Sequence, residues 1–135
     1  MNIANQRLSA EDQLAIMALL AGMARALDSG DVDGYVNSFT PDGVLFDTHH
    51  GQAAIREYVS GIVQRRLSER KRGLHFVGYP TLQPRGDYVQ AYSYLLRGEM
   101  SDQPPVAVGA EYADECVKLD GEWRVRRRSY SISWH

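Results

Sequence analysis

At 135 residues, 44% hydrophobic and 24% charged, the chain can bury one core without staples. Its net charge of −2 supplies no overall field for nucleic acid, and a lone cysteine, Cys116, excludes an intramolecular disulfide framework and thiolate-rich metal sites. No run reaches the ~20 apolar residues that span a bilayer, and residues 1–8 carry no signal-like apolar core, so a soluble cytoplasmic protein without a membrane partner is expected.

Ser9 followed by Asp12 reads as a capping box that opens a helix near residue 10. Ile16, Leu20, Met23 and Leu27 repeat at helical spacing until Asp28-Ser29-Gly30, where Gly30 can take the left-handed cap. A short second helix carries Val32, Tyr35, Val36 and Phe39 on one side. Pro41-Asp42-Gly43 reads as a turn before a first strand, Val44 to Thr48. Gly51 precedes a third helix marked by Ile55, Val59 and Ile62, which ends in the basic stretch 65–72.

After Gly73 the period changes to that of strands, over residues 74–82, 88–100, 106–119 and 122–134. Pro84 with Gly86-Asp87, Pro104-Pro105 and Asp120-Gly121 separate these runs, the last being a strong hairpin signal. Three helices in the N-terminal half, with one inserted strand, and a four-strand antiparallel meander give an α+β class. No linker or internal repeat divides residues 1–135, so one domain is expected. Long strands twist, and a curled, mainly antiparallel sheet with helices along its edge makes a cone-shaped barrel enclosing a pocket.

Asp28 falls in the last turn of the first helix, where the macrodipole disfavours a carboxylate by ~0.3–1 kcal/mol. Turn chemistry in Asp-Ser-Gly-Asp is the structural alternative. Strand alternation puts His75 on the face of Val77, opposite Leu74 and Phe76, where a hydrogen-bonded core histidine is the alternative to a catalyst. Together they suggest a histidine oriented by a carboxylate and acting as general base in an apolar cavity. Tyr35, Phe39, Phe46, Tyr58, Tyr92, Tyr94 and Val108 are the residues expected around a small apolar ligand, with plain core packing as their alternative. Tyr92 and Tyr94 share a strand face and must go together.

Other clusters read as structure. Asp47, His49 and His50 lack a second ligand group, so no metal and no cofactor is expected. The basic stretch 65–72 reads as a solvated helix end rather than a nucleic-acid surface. Alternation puts Arg124, Arg126 and Arg128 on one side, available for inter-strand ion pairs with Glu111, Asp114 or Glu115. Cys116 reads as a small core residue.

Five segments in order carry a family resemblance: Leu27-Asp28-Ser29-Gly30-Asp31, Phe39-Thr40-Pro41-Asp42-Gly43, Gly51-Gln52-Ala53-Ala54-Ile55, His75-Phe76-Val77-Gly78, and Tyr112-Ala113-Asp114-Glu115 leading to Asp120-Gly121-Glu122-Trp123. Over residues 9 to 134 the chain resembles the SnoaL-like branch of the nuclear transport factor 2-like superfamily, whose cystatin-like fold is a curved sheet with three helices. Within it the likeness is nearest to scytalone dehydratase and hexachlorocyclohexane dehydrochlorinase. That resemblance implies an elimination begun by His75 with Asp28 orienting it, a pocket role for Arg128, and a homodimer formed through the sheet. The chain departs from the dehydratase at Leu27 and Thr48, where tyrosines would stand, and lacks its second histidine. The resemblance therefore implies a cofactor-free lyase or isomerase without naming a leaving group. A ligand-binding or dimerisation domain of the same fold is the alternative.

Overall fold

Helix α1 (Ala10–Ser29) starts where Ser9 accepts the Asp12 backbone N–H at 3.0 Å and stops at Gly30, whose φ of 82° closes the last turn. Only half of the capping box forms. The Asp12 carboxylate accepts instead from Trp123 Nε1 at 2.9 Å and Lys118 Nζ at 3.2 Å, tying the helix start to the last hairpin. This is a computed structural model that describes residues 8–132. Helix α2 (Val32–Asn37) is capped by Asp31, which accepts from Gly34 N at 2.9 Å. Helix α3 (Gln52–Ser68) turns Ile55 and Val59 inward. Among the described residues no helix is long and apolar enough to cross a membrane.

Strand β1 (Phe39–Leu45) begins earlier than the turn chemistry of Pro41-Asp42-Gly43 suggests. Phe39 opposes Val125 and Val44 opposes Arg127 in parallel pairing, so β1 holds extra residues between those points. Pro41 has no N–H for a ladder, and Gly43 lies where a Cβ would be 3.0 Å from the Phe39 Cβ. The predicted turn is thus a bulge inside a strand, and Phe39 opens that strand rather than closing α2. At the other end Phe46 and Asp47, with φ of 55° and 60°, turn the chain into the short β2 (His49–His50), so the strand does not run to Thr48.

The run 74–82 also divides. Gly78-Tyr79-Pro80 separates β3 (Arg72–Val77) from β4 (Thr81–Arg85), and both pair antiparallel with β5 (Tyr88–Met100). β6 (Val108–Leu119) and β7 (Glu122–Ser131) complete the sheet through Asp120-Gly121, both with positive φ as the tight hairpin requires. Trp134 lies outside the described residues. The order β2-β1-β7-β6-β5-β3, with β4 beside β5, is a curved, mainly antiparallel open sheet; α1 packs on β3 and β7, and α3 on β1 and β2. The α+β cone follows.

Ile16, Met23, Tyr35, Phe39, Ile55 and Val125 form the centre of the core, each at most 1% exposed. Cys116 joins them, and burial pushes its thiol up to about 12. An ion pair is sealed in with them. Arg128 donates to Asp114 through Nε at 2.7 Å and Nη2 at 3.1 Å, with both side chains almost fully buried. Strict alternation fails here because Arg126 is an extra residue in β7: Cys116 opposes Val125 while Glu115 opposes Arg127. Val125 and Arg128 therefore both face inward. Arg126 pairs with Glu115 at 3.0 Å and Arg124 with Glu122 at 2.8 Å, so the three arginines do not share a face.

Two outcomes follow from this core. Asp114→Ala leaves a buried guanidinium unpaired and is expected to cost about 3–5 kcal/mol, read as a lower urea midpoint with an unchanged slope. Cys116 is expected to resist iodoacetamide in the folded protein at about pH 8 and to react fully in concentrated guanidinium chloride, because burial keeps the thiolate scarce. Rapid labelling of the native chain would contradict the packing described.

Candidate functional site

Packing α1 against β3 brings the end of the helix to the edge of the sheet. β3 is the outermost strand on that side, and the His75 backbone N–H points off it to Asp28 Oδ2 at 2.8 Å. Asp28 Oδ1 accepts from His75 Nδ1 at 2.6 Å. The carboxylate is the acceptor, so Nδ1 carries the proton and Nε2 is the unprotonated nitrogen of a neutral ring. Nε2 has no protein partner among the described residues. The two side chains are 7% and 13% exposed, and two donors offset the unfavourable dipole at Asp28. Gly73 makes the approach possible. A Cβ there would lie 2.6 Å from Asp28 Oδ1 and collide with the Arg66 guanidinium.

His75 is part of the wall of a cavity of about 620 Å³ between the sheet, α3 and the loop before β6, with Asp28 behind it. Tyr35, Phe46, Tyr58 and Val108 also line this space. Phe46 meets Tyr58 edge-on at 6.2 Å between ring centres and leans on Tyr130 at 5.6 Å. Four expected residues do not reach the cavity. Phe39 is buried against Tyr35 in the core, at 5.5 Å between ring centres. Tyr92 and Tyr94 project from the outer face of β5, the latter 77% exposed, because Ala91, Ser93 and Leu95 take the inner positions. Arg128 lies behind the wall: its charge is taken up by Asp114, and its guanidinium covers the Tyr112 ring at 3.9 Å.

Alternation along β5 carries on from Leu95 to Arg97 and Glu99, two wall residues that sequence reasoning missed. The small side chains at 91 and 93 are the available signal for which face is inner. Tyr112 and Tyr130 form the wall beside them, with Arg97 Nε donating to the Tyr130 hydroxyl. Burial pushes the Tyr112 phenol well above its usual range, Arg128 opposing, so it stays protonated and able to donate. Arg65 and Arg66 at the end of α3 reach Glu99 at 2.6 and 3.1 Å. The basic stretch 65–72 thus supplies part of a cavity wall as well as a helix end.

The Asp47, His49 and His50 cluster is dispersed. Asp47 pairs with Arg127 at 2.6 Å, and the His49 ring stacks on Tyr58 at 4.2 Å. Among the described residues no group of three or more histidine, cysteine or acidic side chains is placed to hold a metal ion.

The SnoaL-like domain model matches residues 8–129. Subunit beta 2 of the terminal oxygenase component of terephthalate 1,2-dioxygenase from a Comamonas species is 26% identical over 136 aligned positions, covering 87% of this chain and 88% of that one. Aln2 from a Streptomyces species superposes with a TM-score of 0.83 at 19% identity, over 94% of each chain. A protein with a cystatin-like fold from Nostoc punctiforme has a TM-score of 0.77 at 26% identity, over 95% of this chain and 96% of its own. With the model matching nearly its whole length, the chain belongs to the SnoaL-like domain family, on a cystatin-like fold.

Proposed function

We propose that this chain is a cofactor-free lyase or isomerase, acting as one domain, whose reaction begins when His75 removes a proton from a small ring-bearing molecule in the cavity. The observation that carries the reading is the two-point hold of Asp28 on His75, with distances of 2.8 and 2.6 Å. A neutral imidazole fixed in this tautomer is a base without rotational freedom, and such a group is worth roughly 10²–10⁴ in rate. Asp28 is the positioning residue: it orients the ring and stabilises the imidazolium once the proton has moved. The phenol of Tyr112, kept protonated by burial, is a donor for negative charge developing on the substrate, with the Tyr130 hydroxyl on the same wall. Arg128 acts through Tyr112 rather than on the substrate. The likeness to scytalone dehydratase and hexachlorocyclohexane dehydrochlorinase, at Asp28 and His75, favours elimination. Enolisation needs the same first step.

A panel of hydroxylated and halogenated alicyclic rings, followed by new ultraviolet absorbance and halide release, tests elimination; deuterium uptake by cyclic ketones in heavy water tests enolisation. His75→Ala is expected to lower any wild-type turnover by about 10²–10⁴. Asp28→Asn keeps an acceptor but not the charge and is expected to lose about 10–100-fold, mainly in kcat. Undiminished turnover in His75→Ala would remove the proposal.

A binding or assembly domain is the second reading, favoured by the outer face of the sheet. Leu96 opposes Phe76 across β3 and β5, and these two with Tyr94 are 51%, 71% and 77% exposed, the sort of patch that marks an interface. A homodimer through this face fits either reading. Sedimentation is expected to give a dimer that the Tyr94→Glu, Leu96→Glu double variant splits into monomers with unchanged circular dichroism; a monomeric wild type would refute it.

A further inference from the structure

The cavity carries more positive charge than an apolar ligand requires. Arg65, Arg66, Lys71 and Arg97 stand on its wall, against Glu99 as the one carboxylate there. This excess occurs in a chain of net charge −2, so it is a local arrangement and not a by-product of composition. Three of the four cations are occupied. Arg65 bonds Glu69 at 2.7 Å and Glu99 at 2.6 Å, Arg66 bonds Glu99 at 3.1 Å, and Lys71 lies 3.5 Å from Glu69. The hydrogen bond from Arg65 holds Glu99 below the usual glutamate range, so it stays charged and committed to these partners.

Arg97 differs. Its Nε donates to the Tyr130 hydroxyl, and its guanidinium lies 5.4 Å from the Tyr130 ring centre, but among the described residues no carboxylate lies within ion-pair distance of it. It is only partly exposed. Supporting Tyr130 takes one N–H; a neutral side chain could do that. The remaining donors, on the two terminal nitrogens, form the planar fork that matches a carboxylate. Arg97 is also the direct cross-strand partner of His75, and both line the cavity. Directly opposed residues have Cβ atoms about 4.5–5.5 Å apart, so a group held by one is presented to the other. The chain closes over this end: a Cβ on Gly98 would be 2.5 Å from the Val106 carbonyl, and Ser101 and Val106 complete the wall.

We propose that Arg97 docks a carboxylate, so that the natural ligand is a ring-bearing carboxylic acid whose ring lies along Phe46, Tyr58 and Val108 with its acid group beside His75. The inference rests on the cavity being the reaction site, and it names the class of molecule that enters. Arg97 is then the specificity-determining residue.

Calorimetric titration with 2-naphthoate and 2-naphthamide compares one ring system with and without the charge. Wild type is expected to bind the acid about 10–100-fold more tightly than the amide, as a charge-assisted hydrogen bond would give. Arg97→Gln is expected to erase that preference, bringing the affinity for the acid down to that for the amide, and Arg97→Lys, which keeps the charge but not the fork, to retain part of it. Added salt should weaken the acid and not the amide. His75→Ala should keep the preference, so acid selection alongside turnover that survives His75→Ala overturns the proton-abstraction reading and not this one. Equal affinities, a preference untouched in Arg97→Gln, or no measurable naphthoate binding would overturn the carboxylate site.

Discussion

The carboxylate of Asp28 connects two parts of the molecule that no strand pairing joins. It closes α1 and simultaneously satisfies the edge of β3, taking a backbone N–H and a ring N–H from one residue. An edge N–H left without a partner in a part-buried position would cost about 1–3 kcal/mol, so the contact has a structural reason independent of any reaction. The same contact removes the rotational freedom of the imidazole. One side chain thus serves the helix end, the sheet edge and the ring, and its position requires Gly73, because any larger residue would displace both Asp28 and Arg66.

The remainder of the site depends on irregularities in the sheet. The bulge in β1 and the extra residue in β7 re-aim side chains in the core behind the cavity wall. Without the second, Arg128 would alternate with Val125 and face outward. With it, the Arg128–Asp114 pair lies in the core and presents a cation to the back of Tyr112. Phe46 shows a related compromise. Its φ of 55° costs roughly 1–2 kcal/mol for a bulky residue, while two aromatic contacts contribute about 0.5–1.5 kcal/mol each. The strained turn is held by the wall it builds.

Local chemistry makes much of this legible in the sequence. Ser9 and Gly30 mark helix ends because their caps are satisfied within a few residues, Gly51 marks one through its positive φ, and Asp120-Gly121 marks a hairpin because two consecutive positive φ values are needed. Asp28 and His75 stand out because each is awkward for its own local surroundings. What stays hidden depends on partners distant in the chain. Pro41-Asp42-Gly43 has turn chemistry, but parallel pairing with β7 overrides it. Alternation links Tyr92 and Tyr94 to one face, yet the choice of face is set by what β5 packs on. Arg97 and Glu99 escape notice because charges on an inner face contradict the binary pattern used to find that face.

That contradiction carries the functional argument. A core-facing strand that turns from Ala91, Ser93 and Leu95 to Arg97 and Glu99 forgoes the apolar burial those two positions could have provided. Glu99 is accounted for by the arginines of α3, which it binds to the sheet. The single bond from Arg97 to Tyr130 does not account for a full guanidinium charge across the strand pair from His75. Partly buried charges are tolerated where something compensates them, and no carboxylate among the described residues pairs with this one. A negatively charged ligand would supply the missing partner, and it would arrive on the strand position directly across from His75.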